Sequence, residues 1–174
     1  MIVPLEDVHL PLLVAHIARH SRESGQDGDP IFRPRSSDAP IDELATIERH
    51  RAGWALPLDE PYWLRTWGVA VEGQIRGHID LHGGRLPSEF HRAMLGMGVE
   101  RSHRGRGHGR ALLAAAIGWA RRAGLTWLDL GVFAHNARAR RLYASVGFVE
   151  LGTTRDRYRV DGAAIDDVAM ALAL

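Results

Sequence analysis

A glycine-rich basic segment constrains the fold of this chain more than any other stretch. Residues 95–113 pass from a strand-like start through Arg104-Gly105-Arg106-Gly107-His108-Gly109 into a run of strong helix formers. Glycines at every second position let the main chain adopt positive φ angles and approach a ligand closely. The first N–H groups of the following helix favour an anion, and the arginines at 104, 106 and 110 add forked donors. The segment therefore predicts a diphosphate cradle between a strand and a helix.

The spacing of these glycines excludes two common phosphate-binding motifs. A dinucleotide-binding loop requires G-x-G-x-x-G, whereas the glycines here follow G-x-G-x-G. A Walker A loop requires G-K-[S/T], which the chain lacks. From this segment alone, the alternative interpretation is a basic glycine turn that only caps a helix.

Composition limits the classes of protein that remain. The 174 residues suit a single domain, 1–174, and 45% hydrophobic with 25% charged residues is typical of a globular protein. A net charge of +1 gives no reason to expect a nucleic acid or a membrane as partner. Because there is no cysteine, disulfides, thiolate metal sites and cysteine nucleophiles are excluded. No apolar run reaches the ~20 residues of a membrane span, and the N-terminal residues lack the basic start of a signal peptide. We therefore expect a cytoplasmic location.

Hydrophobic periodicity predicts helices and strands in a mixed order. Helices are predicted at about 8–22, 40–53, 110–121 and 135–146, with Asp38 as the cap of the second. Strands are predicted at 1–5, 66–72, 75–82, 91–99, 126–133, 148–152, 155–160 and 164–172. The strand 75–82 alternates, with one face formed by Ile75, Gly77, Ile79 and Leu81. This order predicts a mixed α/β sheet, in which the two strands that flank the glycine loop and its helix run parallel.

A second motif follows the buried strand 126–133. It runs Asn136-Ala137-Arg138-Ala139-Arg140-Arg141-Leu142-Tyr143 and continues to Gly147-Phe148, in the pattern N-x-x-A-x-x-L-Y-x-x-x-G-F. By itself this is an amphipathic helix. Together with the loop R-x-x-G-x-G, which is similar to an acetyl-CoA pyrophosphate loop, the segment 97–148 resembles the GNAT superfamily of N-acetyltransferases. The last two strands resemble the closing hairpin of that family more loosely.

The resemblance implies a fold and a co-substrate. The fold is α/β, with a central, twisted, mostly antiparallel sheet that contains one parallel, splayed strand pair and is flanked by helices. Acetyl-CoA would lie in the V-shaped cleft of that pair, without a metal ion. The implied acetyl-CoA-binding residues are Met97, Gly98, Val99, Arg104, Gly105, Arg106, Gly107, His108, Gly109, Arg110, Asn136, Ala139 and Tyr143.

The resemblance also implies a reaction. The acetyl group of acetyl-CoA would pass, in a ternary complex, to a primary amine of a small molecule, to a peptide or protein N-terminus, or to a lysine. Tyr143 would act as general acid on the leaving thiolate, unless it is only a core aromatic residue. The catalytic glutamates of relatives would fall at Ala93 and Gly131, where this chain has none. The candidates for the general base are therefore His91 and Asp80, with His78 and His82 beside them.

Several alternatives stay open at this point. The missing glutamates favour a non-catalytic acyl-CoA-binding or sensor module of the same fold. The alternating residues His78, Asp80 and His82 also have the spacing of a zinc site. Trp54, Trp63 and Trp67 either line the acceptor side or fill the core. The oligomeric state is undetermined, with a homodimer as the commonest symmetric assembly.

Overall fold

Seven strands and four α-helices make up the protein, and the computed structural model describes every residue from Met1 to Leu174. The strands are β1 (Ile2–Pro4), β2 (Leu64–Val71), β3 (Gln74–Gly83), β4 (Arg92–Val99), β5 (Trp127–Phe133), β6 (Val149–Val160) and β7 (Ala163–Ala173). The helices are α1 (Leu10–Arg22), α2 (Glu43–Ala55), α3 (His108–Arg122) and α4 (Ala137–Ala144). None of these helices combines the length and the apolar character needed to cross a lipid bilayer.

All strands belong to one sheet, in the order β1-β2-β3-β4-β5-β7-β6. Every neighbouring pair is antiparallel except β4 and β5, which confirms the predicted mixed sheet with one parallel pair. That pair is in register only where Arg92 to Met94 lie opposite Trp127 to Asp129. Beyond Met94 the two strands separate, so the parallel pair is splayed as expected.

The main core lies between α3 and one face of the central strands. Leu81 of β3, Leu95 of β4 and Leu130 of β5 are buried in the same cluster as Leu113 of α3. The buried residues of α3 recur at helical spacing, which makes one stripe of the helix apolar: Leu112, Leu113, Ala116, Ile117 and Ala120. Each fully buried leucine stabilises the fold by roughly 2 kcal/mol relative to an exposed one.

The other face of the sheet is covered by α1 and α2.

The tryptophans belong to the interior of the protein, since Trp63 and Trp67 are buried in the main core. Trp54 of α2 donates its indole N–H to Thr66 Oγ1 of β2 at 3.0 Å. The tryptophans therefore hold the helices and the core together, and none of them lines the cleft described below.

The predicted alternation over 75–82 is wrong at its start. The register between β2 and β3 shifts, because Gly68 faces His78 whereas Ala70 faces Ile75. This places one extra residue in β3, and such a bulge moves the following side chains to the opposite face. Ile75 consequently packs with Leu13 under α1, although Ile79 lies in the main core.

Two other element boundaries differ from the prediction. Asp42, rather than Asp38, caps α2, because its Oδ1 accepts the N–H of Ala45 at 2.9 Å. The two strands predicted at 148–152 and 155–160 form the single strand β6, with an irregular register where Asp156 has φ of 47°. The hairpin between β6 and β7 turns at 161–162, as its Asp-Gly sequence predicts.

Candidate active site

A cleft of about 720 Å³ opens where β4 and β5 separate. From Leu95 to Val99, β4 turns one edge toward this cleft without a strand partner, because its pairing with β5 ends at Met94. Ligands of α/β sheets bind at such places, outside the carboxyl ends of diverging strands. The cleft lies next to both sequence motifs, since residues of the glycine loop and of α4 line it.

A second cavity, of about 760 Å³, lies between the end of α1 and the segment 37–43. Polar side chains such as Arg22, Gln26 and Glu43 form much of its wall. It touches neither a strand end nor the glycine loop, so its lining has no groups arranged for a diphosphate. The cleft between β4 and β5 is therefore the candidate active site.

The loop between β4 and α3 supplies main-chain donors. Gly105 and Gly107 have φ of 76° and 81°, a region that strains any residue with a side chain. The N–H groups of residues 105–110 donate to no protein acceptor; the first N–H bonded in this helix is that of Ala111. Because the positive end of the α3 dipole lies at the same point, the loop can bind an anion such as a diphosphate.

Gly109 is required for a different reason, which is close packing. A Cβ at this position would lie 2.8 Å from Cδ2 of Leu142 and 3.3 Å from Cε of Met97. Only a glycine therefore lets the first turn of α3 approach both α4 and β4. This contact holds the loop at the mouth of the cleft.

The side chain of Arg104, which lines the cleft, is bound by several protein groups. Its guanidinium donates to both carboxylate oxygens of Asp29 at 2.7 Å and to Glu23 at 2.8 Å. Its Nε donates to the carbonyl of Val99 at 2.8 Å. Arg101 pairs with Asp29 as well, at 2.9 Å. These ion pairs fasten the start of the loop to the segment that follows α1, and they direct most of the Arg104 donors to protein acceptors.

Two other arginines of the loop remain available to a ligand. Arg106 is exposed and forms no ion pair. Arg110 is also exposed, lines the cleft and donates one hydrogen bond to Ser145 Oγ at 3.0 Å. Their positive charges can therefore supplement the main-chain donors of the cradle.

The helix α4 contributes a polar cap and a phenol to the cleft. The Oδ1 of Asn136 accepts the N–H of Ala139 at 3.2 Å, which leaves the side-chain amide N–H groups free to donate. Tyr143 packs its ring 5.8 Å from that of Phe148, and its hydroxyl bonds no protein group. Burial raises the pKa of Tyr143 above its ordinary value, so the phenol stays protonated. A neutral phenol beside the cleft has the properties of a proton donor.

The face of the cleft opposite α3 is built on glycines. A Cβ at Gly98 of β4 would lie 2.7 Å from Nδ1 of His20, which comes from α1. A Cβ at Gly131 of β5 would lie 2.8 Å from Oδ2 of Asp167, which comes from β7. Each strand therefore makes room for a titratable side chain from another element. Neither His20 nor Asp167 was predicted from the sequence.

His20 lies over β4 as a neutral imidazole. Its ring stacks on Phe32 at 4.6 Å and lies 5.8 Å from the ring of His16. Burial, together with the nearby His16, His78 and Arg104, lowers the pKa of His20 well below its ordinary value. Its two ring nitrogens form no hydrogen bond with the protein. His20 therefore shapes this wall without carrying charge.

A buried network supports the same face. Glu100 accepts hydrogen bonds from His16 at 2.9 Å, from Arg19 at 3.0 Å and from Arg76 at 3.1 Å. Burial by itself raises the pKa of Glu100, but these three hydrogen bonds lower it to about 2. The other ring nitrogen of His16 bonds Nδ1 of His78 at 2.9 Å. The carboxylate is thus charged at neutral pH and ties α1 to β3 and β4.

The two predicted bases lie outside the cleft, which corrects both assignments. His91 is exposed and precedes β4 at the end remote from the split, where its carbonyl accepts the N–H of Thr126 at 2.8 Å. Asp80 is buried under α2, where it accepts the hydroxyl of Thr66 at 2.6 Å and lies 3.6 Å from Nε2 of His50. Burial favours its protonated form, yet His50 holds the pKa of Asp80 below its ordinary value. Neither group can reach an acceptor in the cleft.

The remaining histidines of β3 have separate environments. His78 is enclosed in the network, and burial lowers its pKa to about 3. His82 lines the cleft at its inner end, where β3 pairs with Met94 of β4. No group of three or more histidine, aspartate or glutamate side chains is arranged to hold a metal ion. The zinc site considered from the spacing in β3 is therefore not formed.

A comparison with known families decides how these features are to be interpreted. Residues 30–148 match the model of the acetyltransferase (GNAT) family, a span that includes the splayed strands, the glycine loop and α4. The chain belongs to the GNAT acetyltransferase family. The resemblance found in the two sequence motifs is thereby confirmed.

Two relatives within the GNAT family share sequence with part of the chain. The N-alpha-acetyltransferase RimI of Mycobacterium tuberculosis is 41% identical over 80 residues, which are 46% of this chain and 48% of RimI. The uncharacterized N-acetyltransferase YycN of Bacillus subtilis is 34% identical over 85 residues, 48% of this chain and 54% of YycN. The chain thus spans about half the length of the curated relatives it matches.

The GNAT fold extends beyond those segments. The structure of yncA from Salmonella typhimurium, solved with acetyl-CoA, matches 100% of this chain and 93% of its own, with a TM-score of 0.84. Because the identity is 19%, this likeness is one of fold. It includes residues 1–29 and 149–174, which lie outside the span that matches the family model.

Proposed function

We propose that this protein is an acetyl-CoA-dependent N-acetyltransferase, which transfers the acetyl group directly to a primary amine in a ternary complex. The observation that carries the proposal is the splayed β4–β5 pair, whose unpaired edge leads to the free N–H groups of residues 105–110. A long ligand with a diphosphate at one end fits this arrangement. Membership of the GNAT family supports the type of reaction.

The donor would bind mainly to main-chain groups. Its pantetheine arm would lie along the free edge of β4 and pair with main-chain groups of Met97, Gly98 and Val99. Its pyrophosphate would accept hydrogen bonds from the N–H groups of residues 105–110. The free amide N–H of Asn136 would face the same arm. A β4 N–H that polarises the thioester carbonyl would also stabilise the oxyanion of the tetrahedral intermediate, a contribution of about 3–4 kcal/mol.

The chemistry needs a neutral amine and a proton for the leaving group. The amine nitrogen attacks the carbonyl carbon, so that a C–N bond forms and the C–S bond then breaks. Tyr143 would protonate the thiolate of CoA, a role supported by its place in the lining of the cleft and by a hydroxyl that bonds no protein group. Overall, a protonated amine and acetyl-CoA give an amide, CoA thiol and one proton.

The class of acceptor is a further part of the proposal. RimI is named as an N-alpha-acetyltransferase, which makes the α-amino group of a peptide the first acceptor to test. Lysine side chains and small-molecule amines are the other classes. The cleft face formed by His20 and Asp167 is open to a primary amine of any of these, since both residues line the cavity.

The experiment is release of CoA thiol from acetyl-CoA in the presence of an amine panel. The panel contains a peptide with a free N-terminus, a lysine amide with a blocked α-amino group and simple alkylamines, and mass spectrometry identifies the acetylated product. Thiol release that depends on one of these amines supports the proposal. Tight binding of acetyl-CoA without turnover of any amine would instead support an acyl-CoA-binding or sensor module, the alternative suggested by the missing glutamates at Ala93 and Gly131.

A further inference from the structure

We propose that Asp167 binds the ammonium group of the acceptor and takes the proton that the amine must lose before it attacks the thioester. This inference rests on the proposed acetyl transfer and assigns a residue within the same cleft. It gives the acceptor side a carboxylate that neither sequence motif contains.

The first support is the position of the carboxylate. Asp167 lies on β7 opposite Phe133 of β5, and its side chain reaches back over Gly131. A Cβ at Gly131 would lie 2.8 Å from Oδ2 and 3.2 Å from Oδ1 of Asp167. The absence of a side chain at Gly131 therefore lets a carboxylate from the next strand occupy the wall of the cleft.

The second support is that this carboxylate has no partner. Only two carboxylates line the cleft, and one of them, Asp29, is paired with Arg101 and Arg104. Asp167 is half-buried, and its side chain forms neither a hydrogen bond nor an ion pair with the protein. Arg157 is close enough to act on its charge but forms no ion pair with it. Because an unpaired carboxylate is costly when partly withdrawn from water, a cationic ligand is its natural complement.

The other titratable groups of this face are less suitable for binding an ammonium group and accepting its proton. Burial lowers the pKa of both His20 and His82, so each is neutral and offers no attraction to an ammonium group. An imidazole with a depressed pKa is also a weak proton acceptor. Burial instead raises the pKa of Asp167, against a smaller opposing effect of Arg157, and this makes the carboxylate a better base than an ordinary aspartate.

The position of Asp167 also completes the proton balance. The ammonium group gives one proton to the Asp167 carboxylate, and the neutral amine then forms the C–N bond. When the C–S bond breaks, the thiolate takes a proton from Tyr143, and the second proton released by nitrogen restores the phenol. Asp167 returns its proton to solvent. The acid and the base are separate groups, since Tyr143 belongs to the core on the α3 side and Asp167 to the opposite face.

Binding of a charged probe tests the site directly. Calorimetry on the CoA-loaded protein compares alanine amide with lactamide, in which a hydroxyl replaces the ammonium group. We expect the wild type to bind alanine amide at least about tenfold more tightly, and Asp167→Asn to lose this preference. The matched control is Asp166→Asn, which alters the neighbouring carboxylate; that group accepts the N–H of Asp156 at 2.8 Å, and asparagine keeps this acceptor.

Turnover provides a second readout. With a peptide that begins with alanine, Asp167→Asn should lower kcat/KM for the acceptor about 100-fold and leave the Kd of acetyl-CoA within about twofold. Gly131→Ala should act in the same direction, because its Cβ displaces the carboxylate without removing it. Asp166→Asn should change neither quantity, and thermal unfolding of each variant checks that the fold is retained.

The outcomes separate this inference from the proposed function. Equal binding of both probes by the wild type overturns the inference, as does an Asp167→Asn variant whose ammonium preference or kcat/KM stays within about threefold of wild type. In the latter case, continued turnover of amines leaves the acetyl transfer intact. If no amine is turned over but the ammonium preference depends on Asp167, the acetyl transfer fails, and with it the role of Asp167 as proton acceptor, whereas the ammonium site stands.

Discussion

The two halves of the cleft are built in opposite ways. The proposed donor half consists of main-chain groups from two short segments, the free edge of β4 and residues 105–110, which lie close together in the chain. The proposed acceptor half consists of side chains from distant elements, such as His20 of α1, His82 of β3 and Asp167 of β7. A main-chain site requires glycines at set positions, whereas a side-chain site requires only that the fold bring its members together. The first can be read from a local pattern and the second cannot.

The largest effect is expected where the two halves meet, at Tyr143. Tyr143→Phe keeps the buried ring but removes the hydroxyl, so kcat should fall about 100-fold or more while the Kd of acetyl-CoA is unchanged. Steady-state kinetics and calorimetry check the two quantities. The control is Tyr62→Phe, at a tyrosine that is 63% exposed and outside the cleft. Full activity of Tyr143→Phe would exclude the phenol as the acid.

The second largest effect is expected at Glu100, whose charged carboxylate supports the proposed acceptor half of the cleft. Hydrogen bonds from His16, Arg19 and Arg76 lower the pKa of Glu100 from 4.5 to about 2, although burial acts to raise it. A lowered pKa in the folded state adds stability above pH ~4.5 that is lost as the pH falls toward 2. Allowing for partial screening by solvent, this contribution is roughly 2 kcal/mol.

Glu100→Gln should therefore lower the free energy of unfolding at pH 7, and its difference from wild type should disappear near pH 2. Urea unfolding at a series of pH values measures this. Glu150→Gln is the control, because Glu150 forms an exposed pair with Arg140 and should contribute less than about 1 kcal/mol. A difference at Glu100 that does not vary with pH would contradict the assigned charge.

A smaller effect on acetyl-CoA binding is expected when a glycine of the donor half is replaced. A glycine outside the cleft with a similar φ separates this effect from backbone strain. Gly107 and Gly124 have φ of 81° and 79°, and a Cβ added at either would have no other atom within 4 Å. Valine at either site should cost a similar amount of stability, about 1–2 kcal/mol. Only Gly107→Val should weaken acetyl-CoA binding, by about tenfold, since it disturbs the N–H groups of the loop. Equal affinities for the two variants would count against the cradle.

The smallest effect belongs to the exposed arginines of the loop. Arg106→Ala and Arg110→Ala should each weaken acetyl-CoA binding about two- to fivefold at low salt, and the loss should shrink as salt is added. Arg121→Ala, at the far end of α3, is the control and should leave the affinity unchanged. Salt-independent losses at 106 and 110 would indicate a structural role, like the one that the ion pairs of Arg104 have.

Local patterns account for what was predicted from the sequence. Glycine spacing and helix formers placed the loop and α3, and the Asp161-Gly162 pair placed the last hairpin, because each signal acts within a few residues. The partners of Arg104 could not be found this way, since Glu23 and Asp29 lie far away in the chain. The bulge in β3 likewise cannot be predicted from the alternation of polar and apolar residues, because it depends on the register with β2.

The acceptor residues differ in the signals they leave. His16 and His20 are four residues apart in α1, on a face shared with the buried Leu13, and histidines on an apolar stripe are a usable sign of a buried polar site. Asp167 leaves less. It shares strand parity with the buried Ile165, but its place in the cleft depends on the β5–β7 register and on the glycine at 131. Both conditions belong to the tertiary structure.

The most direct test of the central claim is a titration of the isotope-labelled protein with acetyl-CoA, followed through backbone amide shifts. The largest shifts should occur at residues 95–99 and 105–110, since the donor is proposed to bind to their main chain. Smaller shifts should appear at Asp167 and His20, which line the proposed acceptor half of the cleft. Shifts concentrated in the segment 37–43, or absent from the glycine loop, would contradict a donor site in the cleft.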